Sequence, residues 1–502
     1  MVRKEIRNKS GSVMISVLIL CVISTLLICS KSSPLYPLND WIDANCFMTV
    51  GKSMKYGLVP YRDLYEQKGP VLYMIHCLAS FISESSFIGV WIIELVCAAI
   101  FLYGGFRLMK EYCDDHALFL VPVLAAITYS SLFFCHGDSA EELVLPILMW
   151  IVWNGMVHAH TGSITTDREF FLAGLLGGIV LWIKYTLLGV FPAWGICAII
   201  PFLKKGDFRA VIKAVVSVIA GVTVASIPVL LYFGLNHALN DLWRVYYFDN
   251  LFVYSKDGTG GIWNLIRTVV SGFEPLLYLS RSFIVLMCAG VIYHLFHRRW
   301  NELGTYLLLM LFAGIFAFVG GTWFLYYSLI FAVFIPMGLV CVDWVIGKAI
   351  DKIKKYTCSV LACEIIAAVV FCYLTSTNTY LLGKPQTSLP QYQFDQIIRK
   401  VENPTLLNYG FLDGGFYTVS KIVPTCRYFA QLNIPLQEMK DQQKETVQKQ
   451  LVDFVVTRSD SANEMQEFDG YQIVATAQYT FEGSIRYYTL YEKESLLEQE
   501  EA

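Results

Sequence analysis

The feature that most constrains this chain is a series of about eleven apolar runs, each roughly long enough to cross a hydrocarbon layer as a helix. They are Ser12–Ser30, Phe87–Leu108, Ala117–Phe134, Leu143–Val157, Phe170–Trp182, Leu187–Leu203, Val211–Gly234, Leu279–Phe296, Leu303–Gly320, Phe324–Val345 and Cys358–Thr375. Backbone polar groups in lipid must be satisfied internally, so such a series folds as a bundle of helices. Composition agrees: 56% of the residues are hydrophobic and 16% charged, where a soluble protein carries about a quarter charged. A net charge of −3 excludes the basic balance of a nucleic-acid binder. Most of the 14 cysteines lie inside the apolar runs and none forms a CxxC pair. They read as small hydrophobes, not as zinc or redox sites.

Sidedness follows from the loops. Arg3, Lys4, Arg7 and Lys9 precede the first run, which reads as an uncleaved span with a cytoplasmic N-terminus. Alternation then puts Arg107/Lys110, Lys204/Lys205/Arg209, Arg298/Arg299 and Lys348/Lys352/Lys354/Lys355 inside, as the positive-inside rule asks. The fit holds only if Val71–Ile82, about a dozen residues, lies at the interface rather than crossing. Leu35–Ser83, Cys135–Glu142, the turn at Lys184, Leu235–Tyr278 and the C-terminal part then face outward.

The expected fold is mainly α: a polytopic membrane domain, residues 1–379, of about eleven spans plus interfacial helices, with a first outer loop at 31–83. A small α/β extracytoplasmic domain, residues 380–502, follows. This last part holds 11 Lys/Arg against 17 Asp/Glu, whereas the first 379 residues hold 27 against 24. Its strands are expected at Leu406–Phe411, Asp453–Thr457, Tyr471–Ala477 and Arg486–Tyr491, and its helices at Phe394–Val401 and Leu436–Leu451.

Polar residues gather in the outward loops. In the first, Asp43, Phe47, Val50 and Met54 recur at helical spacing, so an amphipathic interfacial helix starts near Asp40 or Asp43, either of which can serve as its N-cap. Further on stand Gly57-Leu-Val-Pro60-Tyr61-Arg62-Asp63 and Lys68-Gly69-Pro70. Lys68 either snorkels or binds an anion. Lys184, between two apolar runs, is an ionisable group at a costly depth or a solvated turn lysine. Asp138, Glu141 and Glu142 open a helix, where carboxylates favour the macrodipole; they also suit sugar hydroxyls. Arg244 and Tyr254 lie in an aromatic-rich segment that reads as an interfacial belt or a sugar platform.

The order Asp43, Phe47, Gly-x-x-Pro-Tyr-x-Asp and Lys-Gly-Pro before an apolar helix resembles the GT-C membrane glycosyltransferases. The similarity is greatest to the branch of protein O-mannosyltransferases and the lipid A aminoarabinose transferase. The resemblance implies transfer of a sugar from a polyprenyl-phosphate carrier to an envelope acceptor, a glycan, lipid or protein, outside the plasma membrane. It makes Asp43 the base and Lys68 a ligand of the donor phosphate, with Lys184 and Arg244 as further phosphate ligands. Tyr61, Asp63, Asp138, Glu141, Glu142 and Tyr254 are then candidates for sugar or acceptor binding, and no cofactor or metal is indicated. One departure stands out: Ala44 replaces the Glu that many members carry after the Asp. The competing readings are a transporter or flippase, or a polymerase, for lipid-linked sugars. Paired repeats and interrupted midplane helices would mark a transporter, whereas the polar clusters here gather on one side.

This topology predicts that Ser461→Cys reacts with a membrane-impermeant thiol reagent in intact cells, above the background set by the native cysteines. Reaction only after lysis would reverse the sidedness.

Overall fold

The computed structural model describes residues 2–254, 262–320, 323–461, 464–481 and 483–500. Of the expected outer loop Leu235–Tyr278, residues 255–261 lie outside the described residues, as do 501–502 at the end of the expected C-terminal domain. The helices run α1 Val2–Cys29, α2 Ile42–Met54, α3 Pro70–Ser80, α4 Ile88–Cys113, α5 Ala117–Tyr129, α6 Ala140–Thr161, α7 Asp167–Lys184, α8 Val190–Lys204 and α9 Phe208–Leu235. After the short α10 (Leu239–Leu242) and a π-helical stretch, Trp243–Tyr254, come α11 Ile262–Leu279, α12 Arg281–Phe296, α13 Trp300–Phe318, α14 Ile335–Ile353 and α15 Thr357–Thr375. The C-terminal part adds α16 Pro390–Ile398, β1 Leu406–Tyr409, α17 Phe416–Val419, α18 Gln437–Gln448, β2 Phe454–Ser459, β3 Tyr471–Phe481, β4 Ser484–Lys493 and α19 Glu494–Glu500.

Eight helical stretches among the described residues are long and apolar enough to cross a bilayer. A ninth is the pair Ile266–Leu279 and Arg281–Phe296, bent by 108°. One of the eight, Ile88–Tyr129, has 42 residues, about twice what a bilayer needs. The rings of Phe101 and Tyr129 lie 6.4 Å apart, although a straight helix would separate them by ~42 Å. The stretch therefore folds back at Asp114–His116, pairing the 26-residue α4 with the shorter α5. The described residues thus hold eight or nine stretches of spanning length and composition, against about eleven apolar runs in the sequence; α8, at 15 residues, is a further short apolar helix. At 11 residues, α3 is ~16 Å long and too short to cross. The chain is a multi-pass membrane protein.

Two compact units divide the chain: residues 1–33, 91–229 and 257–380 in the first, and 34–90, 230–256 and 381–502 in the second. The first-loop segment thus belongs to the same unit as the C-terminal residues. In the first unit, α7 and α9 touch backbone to backbone. A Cβ on Gly174 would fall 2.1 Å from the Val218 carbonyl oxygen, and one on Gly221 would fall 2.2 Å from that of Phe171. Small residues allow this approach, and packing rather than the hydrophobic effect holds helices together in lipid.

The second unit is built on a four-stranded sheet of order β1-β2-β4-β3, with β1 parallel to β2 and the other pairs antiparallel. One face carries the apolar core of Leu407, Val455, Tyr471 and Tyr491 with Val447 of α18. On the other face Tyr488 packs edge-on against Phe411 and Phe416. This face is bound to α2 by a buried polar knot. Asp413 accepts from Thr49 Oγ1 at 2.6 Å, from the Gly415 amide at 2.8 Å and from Asn408 Nδ2 at 3.1 Å. Lys52 donates to the Tyr417 carbonyl at 2.8 Å. Gly415 is required twice over: its φ is +90°, and a Cβ there would lie 2.9 Å from Asn45 Oδ1.

Neither Lys52 nor Asp413 is exposed. Burial pushes the Lys52 ammonium down to about 8, and pushes the Asp413 carboxyl up. A lysine depressed in the fold binds fewer protons there than in the unfolded chain between pH 8 and its ordinary value of 10.5. Stability is therefore lowest below pH 8 and rises as pH climbs through that window, by at most about 3 kcal/mol. Lys52→Met should flatten this part of the stability-versus-pH curve, read as the difference in thermal midpoint between wild type and variant from pH 7 to pH 10. Parallel curves would show that Lys52 is not the titrating group.

Candidate active site

The helix that carries Asp43 starts differently from its expected cap. Trp41 occupies the N-cap position with no side-chain hydrogen bond, so neither Asp40 nor Asp43 caps α2. The entry is secured by amides instead. Asn39 Oδ1 accepts from the Trp41 amide at 3.1 Å, and Asn45 Nδ2 donates to the carbonyls of Asn39 and Trp41, each at 2.8 Å. Asp40 turns to the sheet and accepts from the Tyr479 hydroxyl at 2.5 Å. Asp43 is left in the first turn of α2, where the helix field favours a carboxylate. Its Oδ2 lies 3.9 Å from Lys68 Nζ, and that ammonium stands 5.7 Å from the centroid of Phe47, one turn along the same helix. Both charged side chains are about one-fifth exposed, so the pair is reachable from outside. Ala44, next to Asp43, is fully buried.

Lys68 is held by its backbone. Its amide donates to Glu66 Oε2 at 2.9 Å, and the same carboxylate accepts from the Tyr73 hydroxyl. Its carbonyl accepts from the Tyr61 hydroxyl at 2.6 Å. Gly69 then caps α3 and Pro70 is its first residue, so Lys68 precedes a helix N-terminus directly. Tyr61 is buried between the rings of Tyr73 and Phe233 with φ at +72°, a strained value for a bulky residue. Asp63 closes the preceding turn, accepting from the Val59 amide at 2.7 Å and from Arg62. The bond from Arg62 holds the Asp63 carboxyl below its usual range. Of these two candidates for sugar or acceptor binding, Tyr61 meets the Lys68 carbonyl and Asp63 the turn before it.

The π-helical stretch braces the loop from behind. Tyr65 donates to Asp249 at 2.8 Å and Asn250 Nδ2 donates to the Gln67 carbonyl at 2.7 Å. Arg244 is more than half exposed and faces Glu438 at 3.8 Å. Tyr254 is the last residue of the stretch and is half-buried.

The remaining candidates lie in the first unit. Lys184 ends α7 and pairs with the fully buried Glu141 at 2.5 Å, its ammonium 3.6 Å from the Tyr327 centroid and 5.4 Å from that of Tyr326. It is not an ordinary solvated turn lysine. Ser139 caps α6 by accepting from the Glu142 amide at 3.0 Å. The Asp138 amide donates to both Glu142 Oε2, at 2.8 Å, and Glu94 Oε1, at 2.7 Å, and Glu94 also accepts from Ser30 at 2.8 Å. Glu94 escapes a reading confined to loops, though a lone carboxylate inside an apolar run is itself a signal. Among the described residues no group of three or more His, Cys, Asp or Glu is arranged to hold a metal ion.

No family model and no curated protein matches the chain. Solved structures do. ArnT from Cupriavidus metallidurans bound to undecaprenyl phosphate matches at a TM-score of 0.53 and 13% identity, covering 94% of this chain and 97% of that one. The apo state of the same protein matches at 0.51 and 12%, covering 99% of each. The archaeal oligosaccharyltransferase AglB from Archaeoglobus fulgidus, in complex with an inhibitory peptide and a dolichol-phosphate, matches at 0.47 and 10%, covering 88% of this chain and 69% of that one. The likeness to both states of ArnT along nearly the whole chain shows that this protein has the GT-C fold.

Proposed function

We propose that the chain transfers a sugar from a polyprenyl-phosphate carrier to an envelope acceptor at the outer face of the plasma membrane, with its N-terminus in the cytoplasm. The observation that carries this reading is the meeting of Asp43 and Lys68 at 3.9 Å on the first loop. The two groups suit the two ends of one displacement. An acceptor hydroxyl oxygen bonds to the anomeric carbon as the bond from that carbon to the phosphate oxygen breaks. Asp43 takes the hydroxyl proton, and the phosphate departs with the electron pair. Lys68, at the positive end of α3, holds that anion. The fold supports the reading, since ArnT binds undecaprenyl phosphate, a lipid of the class required of the donor.

The test is transfer by purified protein supplied with radiolabelled polyprenyl-phosphate sugars. Asp43→Asn keeps the volume but removes the base, and should lower turnover about a hundred- to ten-thousandfold while carrier binding persists. Near-normal turnover in that variant, with loss in Asp40→Asn, would move the base to Asp40. Lys68→Met should raise the donor concentration for half-maximal rate and lower the maximal rate, and Lys68→Arg should retain part of both. Wild-type kinetics in Lys68→Met would leave the lysine with no part in donor binding.

A further inference from the structure

The second unit holds a cationic site apart from the Asp43–Lys68 pair. Register places Arg458 of β2 opposite Tyr488 of β4, and Arg486 two residues before Tyr488 on the same strand. Alternation along a strand therefore brings both arginines to one face of the sheet, as diagonal neighbours about 7–8 Å apart at the backbone. Tyr479, opposite Arg486 on β3, shares this face and donates to Asp40. It is thus the face that α2 packs on, at the end near the α2 entry.

Each guanidinium is fixed by aromatic rings. Arg458 lies 5.6 Å from the Phe411 centroid and Arg486 lies 4.1 Å from that of Phe481. The Tyr488 phenol lies within electrostatic reach of both arginines. Neither forms a salt bridge with a carboxylate among the described residues. Together with Asp460, Ser484, Ile485 and Tyr487 they line an open cavity of about 690 Å³. Asp460 is exposed at its edge, so among the described residues of the lining two cations face one carboxylate. Burial, and then the charge of Arg486, pushes Arg458 down. Two like charges held side by side over aromatic rings are unfavourable until an anion joins them. The planar fork of arginine matches carboxylate and phosphate oxygens.

We propose that Arg458 and Arg486 form a binding site for a phosphate or carboxylate group. On the glycosyl-transfer reading above, that group belongs to the acceptor, which would select acidic or phosphorylated glycans. The lining is polar and lies on the sheet rather than on a membrane helix, so the anion comes from water.

The test uses the full-length protein in nanodiscs of zwitterionic lipid, titrated calorimetrically with glucose 1-phosphate and, separately, with methyl glucuronide. Saturable binding of either probe is expected, weakened about ten- to a hundredfold in Arg458→Gln and in Arg486→Gln. Arg458→Lys should keep part of the affinity. Thermal midpoints of all variants are measured alongside, so that a folding defect is recognised. Binding equal in wild type and the folded Gln variants, or no saturation in wild type, overturns the site. Failure of both soluble probes, with Arg458-dependent capture of vesicles containing an anionic lipid, overturns the acceptor assignment and makes the group a lipid headgroup. Asp43→Asn should bind the probes as wild type does. No sugar transfer by the wild-type protein from any polyprenyl-phosphate donor, with this binding intact, would sink the glycosyl-transfer reading and leave the anion site standing.

Discussion

The position of Asp43 depends on a carboxylate buried elsewhere in the fold. Asp413 grips Thr49 and the Gly415 amide, while Lys52 grips the Tyr417 carbonyl, and so the second half of α2 is welded to the C-terminal α/β layer. Thr49 is six residues beyond Asp43, about 9 Å along the helix. A rigid helix turns this remote anchorage into a fixed direction for the Asp43 carboxylate. The weld is costly, because burial favours the neutral form of both partners. It persists because Asp413 accepts three hydrogen bonds and Lys52 donates one, and removing one partner would strand the other.

The first unit follows the same rule under a harsher solvent. Charges inside a hydrocarbon layer are tolerated only in company. Glu141 has Lys184, whose charge also rests on the Tyr327 ring, and Glu94 and Glu142 divide the amide of Asp138 between them. Where no charge is needed, close packing suffices, as at Gly174 and Gly221.

Features with a local cause were legible in the sequence. Apolar length marked the spans, including the hairpin α4–α5, and alternation marked all four strands and the helices α16 and α18. The first-loop motif pointed to Asp43 and Lys68, which the fold brings together. What escaped was non-local. Nothing near Asp413 announces that it will bind Thr49, 364 positions away. The N-cap went to Trp41 because Asn39 and Asn45 satisfy the entry through their amides, which freed Asp40 for Tyr479. Tyr61 and Asp63 were candidate ligands through the resemblance alone; the fold gives the Tyr61 hydroxyl the Lys68 carbonyl, and gives Asp63 the Val59 amide and the Arg62 side chain.

Tyr61 shows what such an arrangement asks of the chain. A tyrosine held at φ +72° costs about 1–3 kcal/mol against relaxed backbone, yet its hydroxyl fixes the carbonyl of Lys68. Glycine would relieve the backbone and lose the phenol; phenylalanine would keep both the strain and the ring and still lose the bond. Selection for a sturdier protein and selection for a well-placed cation therefore pull this one position in opposite directions. A lineage moving to higher temperature has to find its extra stability elsewhere in the fold and carry the strained loop along unchanged.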